Sequence, residues 1–185
     1  MFMNEVIKII KRRRSIRKFR PDQIKDAELK AILDAAIYAP SGHNEQPWFF
    51  SVIQNDSFID ELSSKAKEVM ATSQVDWIAK LGKKKRHILY NAPTVIVISG
   101  RKGANSPLAD CCAAIQNMLL AAESLNIGSL WVGLIAHAFG DGRILVRLQI
   151  PEGYEPYYAV CLGYKQEQVN PVAAERNRNV FVYID

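Results

Sequence analysis

The stretch SPLADCCAAIQNMLLAAESL, residues 106 to 125, most narrowly limits what this chain can become. Ser106 and Pro107 stand in the preferred order for a helix cap and first turn, so a helix opens here. Cys111, Ala114, Ile115, Met118, Leu119 and Ala122 form one apolar side, and Ala113, Leu120 and Ala121 carry apolar character onto others. A helix that is apolar nearly all round must be buried on several sides, either centrally or between subunits. The rest of the chain therefore has to supply covering layers. Its 185 residues suffice for one domain, 1–185, with a core that needs no staples.

The flanking patterns say what those layers are. Val6, Ile7, Ile9 and Ile10 give a helix over residues 4 to 14 an apolar side. Leu29, Ile32, Leu33, Ala36 and Ile37 define a stronger helix over 26 to 39, with Asp26 as its expected cap and Pro40 as its stop. Ile59, Leu62, Ala66 and Val69 mark a third over 57 to 71, and residues 141 to 148 a short one. WFFSVI (48–53), TVIVIS (94–99), SLWVGL (129–134), YYAVCLG (157–163) and VFVYI (180–184) read as strands. TVIVIS is β-branched and apolar enough to be buried on both faces. Helices and strands interleave, which gives an α+β fold with a mixed, mostly antiparallel sheet packed by helices.

Composition removes several classes of function. With 49% hydrophobic and 23% charged residues the chain is an ordinary globular one. Its apolar runs are too short to span a bilayer, and MFMNEVIKII lacks the charged start of a signal peptide, so the expected location is the cytoplasm. The three cysteines, Cys111, Cys112 and Cys161, have neither disulfide nor zinc spacing, and buried free thiols are expected. His43, His87 and His137 are scattered, and no metal site is expected. A net charge of +5 is modest for a nucleic-acid binder.

The charge is nevertheless concentrated. KRRRSIRKFRPDQ (11–23) interrupts its basic residues with Ser15, Ile16 and Phe19, as in a segment that anchors apolar side chains while presenting polar ones. Taken alone it suits a nucleic-acid arm, a membrane-surface patch, a phosphate pocket or a solvated basic segment. Arginine forks and a serine hydroxyl suit phosphate oxygens. KKKR (83–86) is a second cluster and reads as a solvated face. APSGHNEQPW (39–48) fixes a turn with Pro40, Gly42 and Pro47 and crowds it with Ser41, His43, Asn44 and Gln46. Rigidly held loops of this kind are where binding residues concentrate.

The two motifs together, RRSIRKF (13–19) and APSGHNEQPW (39–48), resemble the FMN-dependent nitroreductase family. NAPTVIVIS (91–99), the apolar helix running on to WVG (131–133), and IPEGYEPYYAVCLGY (150–164) extend the resemblance over nearly the whole chain. It implies an intertwined homodimer with shared FMN sites, in which the strand VFVYI crosses to the partner and extends its sheet.

The same resemblance assigns roles. Arg13 and Ser15 would bind the FMN phosphate, Arg14 would line the ribityl chain, and Arg17 would reach the pyrimidine edge of the ring. Pro40, Ser41, Gly42, Asn44 and Gln46 would cover the ring from the other subunit. Trp131, Val132, Gly133 and Leu134 would run near flavin N5, with Gly133 allowing close backbone approach. Arg176 and Arg178 would add charge at the phosphate. NADH or NADPH would deliver hydride to N5, and a nitroaromatic, quinone or similar small acceptor would leave with the electrons in a ping-pong cycle. The flavin does the chemistry, so no catalytic side chain is expected. Two alternatives keep the same fold: an FMN-binding or storage protein without catalysis, and a reductive dehalogenase-type flavoenzyme. Packing is the expectation for Trp77, with stacking on substrate as the alternative, and the basic residues of 83–86 could favour the extra phosphate of NADPH.

Overall fold

Four strands and six helices account for most of the computed structural model, which describes residues 3–167 and 171–184. In chain order the elements are α1 (Glu5–Arg12), α2 (Asp26–Ile37), β1 (Trp48–Ile53), α3 (Asp56–Ala71), α4 (Asp76–Gly82), β2 (Thr94–Arg101), α5 (Pro107–Ser124), β3 (Ile127–Val132), α6 (Gly142–Arg147) and β4 (Tyr154–Tyr164). Short 3-10 turns cover Gly42–Asn44 and Leu134–Ala138. The sheet order is β1-β2-β4-β3, and every strand pair is antiparallel. Parallel pairing, expected from a mixed sheet, is confined among the described residues to one bridge between Ser15 and Ser129.

β2 alternates between two cores, as a strand buried on both faces must. Val95 and Val97 join Leu62, Ala66, Ile135 and Cys161 on the α3 side. Ile96 and Ile98 join Ile32, Ala36, Ile115 and Met118 on the other. α5 lies against α2 in this second layer, where the Asn117 amide donates to the Ala35 carbonyl at 3.0 Å. The expected burial of α5 is met on one side only. Cys111, Ala114, Ile115 and Met118 are buried, while Cys112, Ala113, Leu120 and Ala121 are half-buried.

Three expectations need correcting. α2 begins at Asp26, and Lys25 is the cap residue; the Glu28 carboxylate accepts the Lys25 backbone N–H at 2.9 Å, which leaves Asp26 in the first turn, where the helix dipole favours it. α1 ends at Arg12, short of the expected residue 14, and buries none of its residues, with Val6 and Ile10 exposed. Trp77 is not packed but 58% exposed on α4. Residues 180–184, where a strand given to the partner is expected, are exposed on the single chain.

The basic segment is docked on the sheet by its apolar residues. Ile16 N donates to the Ser129 carbonyl at 2.9 Å, and Arg20 N to the Tyr164 carbonyl at 2.9 Å. Gly128 and Gly163 are register partners on β3 and β4. A Cβ at Gly128 would lie 3.0 Å from Ile16 Cγ2, and one at Gly163 would lie 3.0 Å from Phe19 Cδ1. The glycine pair thus makes the flat seat on which Ile16 and Phe19, both buried, come to rest.

Candidate flavin site

Anchoring Ile16 and Phe19 inward leaves Ser15, Arg17 and Lys18 facing away from the core. The Ser15–Ser129 bridge lays this segment beside β3. Arg17 consequently lines the same cavity as Leu130, Trp131, Val132, Gly133 and Leu134. Leu81, Lys84, Arg86, Ile88 and Tyr90 close the opposite wall. No carboxylate lines this cavity among the described residues. Its volume on one chain is about 210 Å³, below the 300–1,000 Å³ usual for an enclosed small-molecule site, so one chain provides part of an enclosure. A side chain at Gly133 would meet only the Tyr158 ring, at 3.8 Å. Packing therefore does not demand glycine there, and its effect is to keep the cavity clear.

Arg13, at the end of α1, is half-buried. Burial first, and then the like charge of Arg14, push its guanidinium below the usual arginine range; Glu123 opposes this and Arg176 adds to it. A guanidinium beside two others is a site that an anion relieves. The Arg14 fork turns back to donate to the Lys11 and Arg13 carbonyls, both at 2.6 Å, while its buried Nε has no partner among the described residues. Arg14 lines a second depression with Arg12, Glu123 and Lys165. Buried Glu123 holds that wall by accepting from Arg12 Nε at 2.7 Å and Lys165 Nζ at 2.9 Å. The like charge of Arg176 also acts on Arg13, and the Arg176 guanidinium donates to the Ala174 carbonyl at 3.2 Å. Arg178 stands exposed.

The loop from Pro40 to Gln46 lines neither this cavity nor the Arg14 depression. It is tied instead to the start of α5. Gly42 N and the Ser106 hydroxyl both donate to Asp110 Oδ1, at 3.2 and 2.9 Å, and Asp110 is buried. Glu45 accepts the Asn105 N–H at 2.8 Å, Ser41 Oγ accepts the Gln46 N–H at 3.1 Å, and the Gln46 amide donates to Asn44 Oδ1 at 3.0 Å. His43, Asn44 and Gln46 all adopt positive φ, a conformation that costs free energy unless the surroundings hold it.

The sequence reading missed Tyr90, Arg86, Lys84, Leu81 and Ile88 as cavity residues. Tyr90 and Asn91 take φ of 56° and 50°, which no local pattern announces for a tyrosine. Their turn is built around His87, whose Nδ1 accepts from Leu89 N at 3.1 Å and Asn91 N at 3.4 Å, with Nε2 3.2 Å from Asp60 Oδ1. Burial pushes the His87 pKa down, against the opposing pull of Asp60. The one available signal was the basic run directly before a His-x-x-Tyr-Asn-Ala-Pro turn.

Known proteins resemble this chain over nearly its whole length. The family model described as "Nitroreductase family" matches residues 10–164. A protein of Archaeoglobus fulgidus named "Putative NADH dehydrogenase/NAD(P)H nitroreductase" is 35% identical over 171 residues, covering 90% of this chain and 88% of its own. The crystal structure of a nitroreductase with bound FMN from Bacteroides fragilis superposes with a TM-score of 0.91 at 33% identity, covering 99% of this chain and 100% of that one. Another nitroreductase with bound FMN, from Desulfitobacterium hafniense, gives 0.88 at 30% identity with full coverage of both chains. A match that begins before the basic segment and ends with β4 takes in both walls of the cavity along with the sheet beneath it, and the chain belongs to the nitroreductase family.

Proposed function

We propose that the chain is an FMN-dependent oxidoreductase that takes reducing equivalents from NADH or NADPH and passes them to a nitroaromatic, quinone or similar small acceptor. The observation that carries this reading is the shared cavity of Arg17 and Trp131–Leu134, two groups far apart in sequence that the Ser15–Ser129 bridge sets side by side. The residues present fit FMN: a crowded arginine cluster for a phosphate, an uncluttered apolar wall for a ring, and a cation at one edge. When bound, FMN supplies hydride acceptance and donation at N5, which suits a ping-pong cycle.

The chain's own residues do the rest. Arg13, Ser15 and Arg176 hold the phosphate through charge-assisted bonds, each worth about 1.5–3 kcal/mol. Arg14 keeps its unpaired Nε for the ribityl chain. Arg17 holds the pyrimidine edge, where a fixed positive charge favours the reduced form. Gly133 and Leu134 present backbone at the N5 region. No side-chain nucleophile or general base is needed.

The site is shared in a homodimer. Support comes from the partial enclosure on one chain, the uncovered face of α1, and the exposed residues 180–184, which suit addition to a partner's sheet edge. Pro40, Ser41, Gly42, Asn44 and Gln46 then reach the partner's flavin, and Arg178 joins Arg176 at the phosphate. The free thiols Cys111, Cys112 and Cys161 suit a reducing cytoplasm. Burial pushes Cys111 up to about 12, so it carries no reactive thiolate.

The test is the visible spectrum of the purified protein, followed by anaerobic addition of NADH and then NADPH. A flavin band that bleaches with either nucleotide is the expected result. A yellow protein that neither nucleotide bleaches would instead be a flavin carrier.

A further inference from the structure

Beside the flavin cavity lies a second, wider depression of about 770 Å³, lined by Arg17, Lys18, Lys85, Arg86, His87, Tyr90 and Asn91. Arg17, Arg86 and Tyr90 line both, so the two adjoin along a shared wall. Two guanidinium groups flank the Tyr90 ring, that of Arg17 5.8 Å and that of Arg86 5.9 Å from its centroid. The left-handed Tyr90 is held by the His87 turn, and a strained residue so firmly fixed between two cavities marks a place where position matters.

The charge at this place is uncompensated. Arg12, Lys65, Arg101, Arg147 and Lys165 each pair with a carboxylate elsewhere on the chain. Among the described residues Arg17, Lys18, Lys85 and Arg86 have no such partner, and no carboxylate lines the depression. Asp60, the acid at the His87 turn, faces His87 Nε2. A concave wall with several cations of one sign focuses its field and draws anions.

We propose that this outer depression is an anion subsite for the substrate that docks on the flavin, taking a phosphate- or carboxylate-type group in reach of Lys18, Lys85 and Arg86. The inference rests on the flavin reading above and adds a specificity to it. Two sources carry the chemistry: the extra 2′-phosphate of NADPH, or an acidic group on the acceptor. In the first case the enzyme prefers NADPH to NADH; in the second it prefers acidic to neutral acceptors.

Lys18 and Lys85 line only the outer depression and so isolate it from the flavin site. The experiment compares FMN-loaded wild type with the double variant Lys18→Ala, Lys85→Ala. kcat/KM is measured for NADPH against NADH, and for p-nitrobenzoate against nitrobenzene. Calorimetry without turnover measures adenosine 2′,5′-bisphosphate against AMP, and p-nitrobenzoate. The expected result is a selective loss, about tenfold or more, for the charged member of one pair, matched by the same loss in affinity. The pair affected identifies the source. Unchanged ratios in both pairs, or equal losses for charged and uncharged members, overturn the subsite. If neither nucleotide reduces the flavin, the activity reading fails, and calorimetry alone decides: anion affinity lost in the variant sustains the subsite, equal affinity removes it.

Discussion

At the scale of single residues, the glycine pair beneath the basic segment does more than any charged side chain to place the site. Gly128 and Gly163 let Ile16 and Phe19 approach β3 and β4 closely, and only that approach sets Arg17 at the cavity wall. Gly128→Ala should cost about 1–3 kcal/mol, because a methyl group 3.0 Å from both the Gly163 carbonyl and Ile16 Cγ2 has to displace one of them. The displaced neighbour with most freedom is Ile16, so flavin affinity should fall together with stability. Gly140→Ala, where an added Cβ meets nothing within 4 Å, is the control and should change neither. Urea denaturation and a flavin-release titration check both variants. A Gly128→Ala protein of wild-type stability and full flavin content would show that the seat is not needed.

At the scale of elements, the turn from His87 to Asn91 makes the site sensitive to pH. His87 Nδ1 accepts two backbone N–H groups, so it must be unprotonated for the turn to hold. Burial sets its folded pKa below the unfolded value, so the folded state binds this proton less well than the unfolded one. The stability His87 contributes is therefore full above the unfolded pKa, near 6.5, and is lost as pH falls through the lower folded value. Denaturation midpoints measured from neutral pH downward should fall more steeply in wild type than in His87→Gln; parallel slopes would relieve His87 of this role. The turn also shows where sequence reading stops. The helices with a clear 3.6-residue stripe, α2 and α3, and the β-branched β2 were legible because burial writes a period into local sequence. Arg17, Gly133 and Leu134, which the structure brings to one cavity, were singled out through resemblance. Tyr90, Lys84 and Arg86 were not, because only the folded chain brings them to the same cavity as β3, and the strain at Tyr90 leaves no compositional trace. Asp110 escaped for a related reason. It looks like a first-turn acid favoured by the helix dipole, and its grip on Gly42 shows only in three dimensions.

At the scale of the whole molecule, apolar residues of α1 and of the segment 180–184 stand exposed on a single chain, and the proposed homodimer would cover them. A chain cut after residue 170 should lose its dimer and most of its flavin, read by light scattering and by absorbance of the purified protein. A flavin-replete dimer from that shortened chain would refute the exchange of the final segment. The way the basic segment is fastened has a further consequence, this time for synthesis. Its first anchors are on β3, but its last are the Arg20 N–H to Tyr164 and the contacts of Gln166 with Lys18 and Phe19. A ribosome adding about 5–20 residues per second needs on the order of ten seconds or more to make the intervening chain. Until that stretch is made, the basic segment lacks its last anchors on the sheet. On the proposed reading, the basic segment can take its cofactor-holding shape only once β4 and Gln166 have been made, so cofactor loading would follow their synthesis.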